Sequence, residues 1–147
     1  MAGQLILLGL VVVLSLPRLP HLAPFGAAGW AALVGGVAAL AAAAAVIAGA
    51  LRDLGPSLTP LPRPRDGAIL VETGIYARIR HPIYGGLVLA SVGWSAVTGS
   101  LPSLAVAFAL AILLDAKARR EERWLADHYP SYEAYRARTR RFLPGVY

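Results

Sequence analysis

Cysteine is absent from this 147-residue chain. Its absence removes a disulfide framework, a thiolate nucleophile and any Cys-based metal site, and no metal site is expected. Charge is scarce as well. Asp, Glu, Lys and Arg make up 15% of the residues against 57% hydrophobic ones, whereas soluble domains carry roughly 25% charged residues. Acidic residues are the scarcer sign, eight against fourteen Lys and Arg, for a net charge of +6. That balance would suit nucleic acid, but the cations are not interleaved with aromatic stacking platforms. They flank apolar blocks, and a role toward lipid headgroups or in orientation is the simpler reading. Also missing are an internal repeat, a heptad array and the Gly-rich strand–turn–helix with which soluble domains bind an adenosyl cofactor. The whole chain, 1–147, reads as one domain.

What is present is long apolar runs. The first, about Ala2 to Leu16, is short against the roughly 20 residues that cross a bilayer. No Lys or Arg precedes it and no small-x-small cleavage site follows, so it reads as a membrane helix and not a signal peptide. The second, Gly26 to Leu51, is Ala-rich and uncharged, and its Gly29, Gly35, Gly36 and Gly49 offer small surfaces for close helix contact, including a possible homodimer. A polar connector from Arg52 to Arg80 follows, in which Pro56, Pro60, Pro62 and Pro64 forbid a continuous helix and favour extended structure. The third run, Pro82 to about Thr98, and the fourth, about Pro102 to Leu114, are separated by Gly99 and Ser100, a tight hairpin. A charged helix from Asp115 through Asp127, a break at Tyr129 and Pro130, and a basic helix from Tyr132 to about Arg141 complete the chain, with Ser131 as N-cap and Glu133 in the first turn.

The Lys and Arg count sets the expected topology. Five lie in the Pro-rich connector (Arg52, Arg63, Arg65, Arg78, Arg80) and eight from Asp115 onward, so thirteen of fourteen share one side and Arg18 stands alone. The expectation is an all-α polytopic protein: four transmembrane helices, a cytosolic C-terminal helical extension, and both termini cytosolic. Residues 1–51 would form an N-terminal hairpin and 52–147 the functional core.

The chemistry concentrates in Thr73 to Gly86, TGIYARIRHPIYGG. Pro82 suits the first position of a helix, where its missing N–H had no intrahelical partner, and His81 then falls at the cap. The N–H groups of Ile83 and Tyr84, with the helix dipole, favour an anionic group. Gly85 and Gly86 let a ligand approach the backbone, and Arg80 suits bidentate capture of an anion. Taken singly, an Arg at a helix mouth is a topology anchor, Tyr76 and Tyr84 are interfacial belt residues, and a lone His is a capping residue. Their ordered clustering is what points to a site. A second constellation is Arg119-Arg120-Glu121-Glu122-Arg123-Trp124-Leu125. It is either a solvated charged face or a place where one carboxylate turns back to the third helix and meets a cationic ammonium or sulfonium.

From about Arg52 to Tyr147 the chain resembles the integral membrane methyltransferase superfamily, which includes isoprenylcysteine carboxyl methyltransferases and phospholipid N-methyltransferases. The resemblance is carried by Leu70, Gly74-Ile75-Tyr76, Arg80-His81-Pro82-Ile83-Tyr84-x-Gly86, Glu121-Glu122-x-x-Leu125, Tyr129-x-x-Tyr132-x-x-Tyr135 and Arg141-Phe142-Leu143-Pro144. It implies an S-adenosylmethionine (SAM) site facing the cytosol, with Tyr76, His81, Pro82, Tyr84, Gly85 and Gly86 lining the cofactor and Glu121 or Glu122 facing its amino group. Arg80, His81 and Arg136 would be the catalytic residues, with Tyr132 and Tyr135 near the site. The implied activity is methylation of a lipophilic, membrane-partitioned acceptor, with an isoprenylcysteine-type carboxylate favoured over a phospholipid amine or a small thiol. The competing reading is a non-catalytic membrane scaffold whose basic tail binds anionic lipid or a partner protein. A transporter subunit is a third reading, and the lack of ionisable residues within the spans weighs against it.

Overall fold

The computed structural model of the protein describes residues 2–21, 26–55 and 70–142. Among these the regular structure is helical: α1 (Ala2–Val13), α2 (Gly26–Leu54), α3 (Pro82–Thr98), α4 (Leu101–His128) and α5 (Tyr132–Arg138), with short 3-10 helices at Leu16–His21 and Gly74–Ala77. Three stretches, Ala2–Leu19, Gly26–Leu54 and Leu101–His128, are long and apolar enough to cross a membrane, and α3 is an apolar helix shorter than these. The expected extended connector at Pro56, Pro60, Pro62 and Pro64, together with Arg63, Arg65, Leu143 and Pro144, lies outside the described residues.

Most helix boundaries follow local chemistry. The α3 boundaries agree with the sequence reading, Pro82 opening the helix and Gly99, at φ +62°, following its end. The first helix stops at Val13, three residues before the expected end. Pro17 has no N–H to donate to the Val13 carbonyl four residues earlier, and the chain tightens into the 3-10 helix. The second runs on through Leu54, and Gly55 at φ +46° supplies the left-handed residue that ends it.

Three expectations are corrected. The fourth apolar run and the charged helix after it are one continuous helix, α4. Hydropathy changes at Asp115, but Ala, Lys, Arg and Glu are all strong helix formers, so nothing breaks the helix before Tyr129 and Pro130. Ser131 is not a side-chain cap. Its backbone is helical (φ −80°, ψ −7°) and its hydroxyl makes no capping bond, whereas a capping residue needs a non-helical backbone. The basic helix also ends earlier, at Arg138, and Thr139 continues in extended conformation.

The chain divides into two compact units, Met1–Ala44 with Gly86–Leu114, and Ala45–Gly85 with Asp115–Tyr147. In the first, α2 and α3 meet at glycines: a Cβ on Gly36 would lie 2.7 Å from the Gly93 carbonyl, and one on Gly93 would lie 2.9 Å from the Gly36 carbonyl. Small residues permit such contact between apolar helices. Gly36 is thus used within the chain, while Gly35 and Gly49 face open space. Polar side chains fasten the end of α1 and the residues after it: Ser103 Oγ donates to the Val11 carbonyl (2.8 Å), Ser100 Oγ to the Leu14 carbonyl (3.0 Å), and Trp94 Nε1 to Ser15 Oγ (2.8 Å).

The second unit is organised by chain segments far apart in sequence. Its C-terminal segment pairs in parallel with the stretch before α3 through an isolated bridge between Ile79 and Arg140. The Arg80 N–H donates to the Arg140 carbonyl (2.8 Å), His81 N–H to the Arg141 carbonyl (3.0 Å), and Arg140 N–H to the Arg78 carbonyl (2.9 Å). At the start of the same stretch, the Asp53 carboxylate accepts the Ile75 N–H (2.8 Å). Gly74 adopts φ +60°, and any side chain there would collide with Asp53.

Candidate functional site

The site lies in the second unit and is centred on Glu122. This residue belongs to the buried stripe of α4, two turns beyond Leu114 and one beyond Ala118 at helical spacing. A lone carboxylate there would be unstable. Three side chains surround it. Arg141 holds it in a fork, Nε to Oε1 at 3.1 Å and Nη2 to Oε2 at 2.9 Å, and Arg80 Nε reaches Oε1 at 3.0 Å. His81 Nε2 stands 3.4 Å from the same oxygen without forming a hydrogen bond. With two guanidinium groups bound to it, Glu122 is held as a carboxylate.

The cations are themselves anchored. Arg80 Nη1 donates to the Thr139 carbonyl (2.6 Å), the Thr139 hydroxyl (3.2 Å) and the Arg136 carbonyl (3.1 Å). Arg141 Nη1 donates to Asp115 Oδ1 (3.0 Å), whose Oδ2 accepts Arg119 Nε (2.7 Å). Each of these segments is thereby pinned to α4 or to the mouth of α3.

Glu121 occupies a different environment. Its Oε1 accepts the Tyr84 hydroxyl at 2.7 Å, and Oε2 lies 3.7 Å from His81 Nδ1. Its side chain is 13% exposed, against 5% for Glu122, and no guanidinium among the described residues pairs with it, so its charge is less compensated there. His81 and Tyr84 stack, with ring centroids 5.4 Å apart and planes within 5°, and Lys117 Nζ lies 4.8 Å from the centre of the Tyr84 ring. Phe142 meets His81 edge-on.

The sequence-derived residues are therefore largely brought together. Arg80, His81, Pro82 and Tyr84 converge with Glu121 and Glu122 at the mouth of α3. Tyr76 is buried beside them in sequence, and its carbonyl accepts the Tyr135 hydroxyl (2.8 Å). At Gly85 the close approach is made by the protein itself, since a Cβ there would lie 3.1 Å from the Phe142 carbonyl. Gly86 follows on α3, is buried, and belongs to the first unit. The Arg136 side chain faces Glu133 on the exposed side of α5 (3.5 Å), so what Arg136 gives the cluster is its backbone carbonyl. Sequence reasoning missed Asp115, Thr139 and Arg141 as members of this cluster, and Asp53 as the anchor of the turn before it. Arg141 stood within a family-like motif, but its partner is 19 residues away on another element, and spacing alone does not reveal such a pair.

Burial sets the acid–base character of the tyrosines beneath the cluster. It pushes the Tyr76 phenol up to about 12, with the Asp53 charge adding to the shift. Burial likewise raises Tyr132 and Tyr135, and Glu122 adds to the effect on Tyr132. At neutral pH these are hydrogen-bonding groups and not proton carriers. Two buried polar atoms lack a partner among the described residues, His81 Nε2 and the Tyr132 hydroxyl.

Comparison with known proteins places the chain in a family. The chain is 40% identical over 83 residues to the cobalt-zinc-cadmium resistance protein CzcN of Cupriavidus metallidurans, an alignment covering 56% of the chain and 38% of that protein. It is 36% identical over 83 residues to the nickel-cobalt-cadmium resistance protein NccN of Alcaligenes xylosoxydans xylosoxydans, covering 56% of the chain and 39% of that protein. The match thus spans less than two fifths of the length of either relative. No solved structure matches the chain significantly. The phospholipid methyltransferase family model matches residues 30–132, most of the chain including α3, the acidic pair and the first residue of α5. With its apolar helices, the protein belongs to the phospholipid methyltransferase family of multi-pass membrane proteins.

Proposed function

We propose that this protein is a SAM-dependent methyltransferase acting on a lipophilic, membrane-partitioned acceptor, with the cluster around His81, Tyr84 and Glu121 as its cofactor site. One observation carries the reading: the mouth of α3 and the acidic pair of α4 form a single cluster, with Tyr84 bonded to Glu121 at 2.7 Å and His81 within 3.7 Å of both carboxylates. Family membership supports methyl transfer, and the chemistry of these groups fits the cofactor. Glu121 is an acceptor-only carboxylate with lone pairs beyond those used by Tyr84, suited to an ammonium. His81 and Tyr84 present flat rings suited to a sulfonium or an adenine.

The two glutamates divide the work. Glu122 is saturated by Arg80 and Arg141 and holds the fold of the site, whereas Glu121 retains capacity for a ligand. SAM supplies a methyl group already activated by positive sulfur, so the protein's task is alignment and exclusion of water. No covalent protein nucleophile is needed. Arg80 and Arg141 are engaged by the protein's own carboxylates and carbonyls, which leaves less for an anionic acceptor than the sequence implied. An amine or thiol acceptor is better served, because it needs no free guanidinium. The apolar part of the acceptor would lie among the membrane helices and its head at the cytosolic surface.

The test is calorimetric titration of the purified protein with SAM and S-adenosylhomocysteine. Saturable binding by wild type and at least tenfold weaker binding by Glu121→Gln and by His81→Ala are expected. No saturable binding by wild type, or wild-type affinity in both variants, would sink the reading.

A further inference from the structure

Along α4 the exposed positions recur at helical spacing: Leu101, Ala105, Phe108, Ala109, Ile112, Leu113, Ala116, Arg119, Arg120 and Arg123. This single stripe is apolar as far as Ala116 and then carries three arginines. Phe108 and Ile112 are 62% and 73% exposed, as befits side chains facing lipid tails. Within a continuous helix the rise from Leu113 to Arg119 is about 9 Å and to Arg123 about 15 Å. Headgroup layers extend some 5–8 Å beyond the hydrocarbon on each side, and an arginine reaches several ångströms from its helix. With their side chains reaching back along the helix, Arg119 and Arg120 therefore stand at headgroup depth and Arg123 at its outer edge.

The three side chains also converge, since Arg119 and Arg120 lie four and three residues before Arg123. Arg119 is tied to Asp115, and Asp127 is exposed one turn beyond Arg123. Arg120 lies 5.9 Å from the ring centre of Trp124, a residue type that favours the membrane interface. From the continuity of this stripe and its charge, we infer that Arg119, Arg120 and Arg123 form a docking surface for the phosphate of an anionic phospholipid in the surrounding bilayer. Arg120 and Arg123, the two positions tested below, point away from the Glu122 stripe of the same helix, whereas Arg119 is linked to that cluster through Asp115.

The experiment is native mass spectrometry of the full chain in detergent, titrated in parallel with phosphatidylglycerol and phosphatidylcholine. Wild type is expected to retain phosphatidylglycerol preferentially, and Arg120→Gln/Arg123→Gln to lose that preference by on the order of tenfold at low salt. Arg120→Lys/Arg123→Lys should keep it, as should the charge-matched control Arg78→Gln/Arg140→Gln, which alters exposed arginines elsewhere. Should the double Gln variant lose its helical circular dichroism, each single Gln variant is read instead, with a partial loss expected. No preference in wild type, an unchanged preference in the Gln variants, or an equal loss in the control would overturn the inference.

Discussion

Removing the Glu122 carboxylate would leave two buried guanidinium groups facing each other without their shared counter-charge. Breaking a buried ion pair at one partner costs about 3–5 kcal/mol. The lower end applies here, because Arg141 keeps Asp115 and Arg80 keeps the Thr139 carbonyl. Glu122→Gln is therefore expected to destabilise the protein by about 3 kcal/mol. Glu121→Gln still offers an oxygen to the Tyr84 hydroxyl and should stay within about 1 kcal/mol of wild type. Denaturant unfolding of both variants in the same detergent, followed by circular dichroism, measures the difference. Equal losses would mean that the two glutamates are not divided into a structural and a ligand-facing member. Sequence alone left that division open, because adjacent residues of one helix point about 100° apart and the hydropathy of the charged run does not say which one faces inward. The buried stripe Leu110, Leu114, Ala118, Glu122 decides it.

At the scale of elements, α2 and α3 approach each other on glycine backbone, and the clash that a side chain would create is with a carbonyl, which cannot rotate away. Gly93→Ala is thus expected to force the helices apart and cost about 1–3 kcal/mol, the range for overpacking a tight interface, with helicity retained. Gly49→Ala, where nothing lies within 4 Å, should be neutral or slightly stabilising, since alanine favours helix. The comparison is a melting midpoint for each variant, and a Gly93→Ala midpoint at or above that of wild type would show that the contact is not tight. The sequence made the small residues of α2 visible but not their partner. Gly36 is one of several glycines on an Ala-rich helix, and only the fold matches it to Gly93. Elements marked by backbone chemistry were legible, as α3 shows with Pro82 at its start and Gly99 at its end. Those judged from polarity were not: Asp115 changes the solvent the helix meets, not its hydrogen bonding. Asp53 escaped notice for a related reason, since it serves as a remote cap for a turn 22 residues later and not for its own helix.

For the molecule as a whole, hydropathy and charge asymmetry reveal a multi-pass membrane protein, but they leave the path of the α3–α4 hairpin to be argued. At 17 residues α3 is about 25 Å long, and the uncharged start of α4, Leu101 to Leu114, about 21 Å. Both fall short of the ~30 Å hydrocarbon thickness. A hairpin that crosses must therefore thin the bilayer locally or draw Asp115 and Lys117 toward it, whereas a re-entrant hairpin would leave its turn buried in lipid. The Lys and Arg count favours crossing, because the turn carries no cation while the connector before α3 and the tail within and after α4 carry thirteen. The lack of native cysteine makes the test clean. Leu101→Cys, at a position 75% exposed beside the turn, and Arg78→Cys, at an exposed position before α3, would each be the only thiol in the chain. A membrane-impermeant maleimide should label Leu101→Cys from the outside of sealed cells and Arg78→Cys only in inverted vesicles. Labelling of both from one side, or protection of Leu101→Cys from both sides until detergent is added, would show instead that the hairpin turns back within the bilayer, and the count of crossings would fall by two.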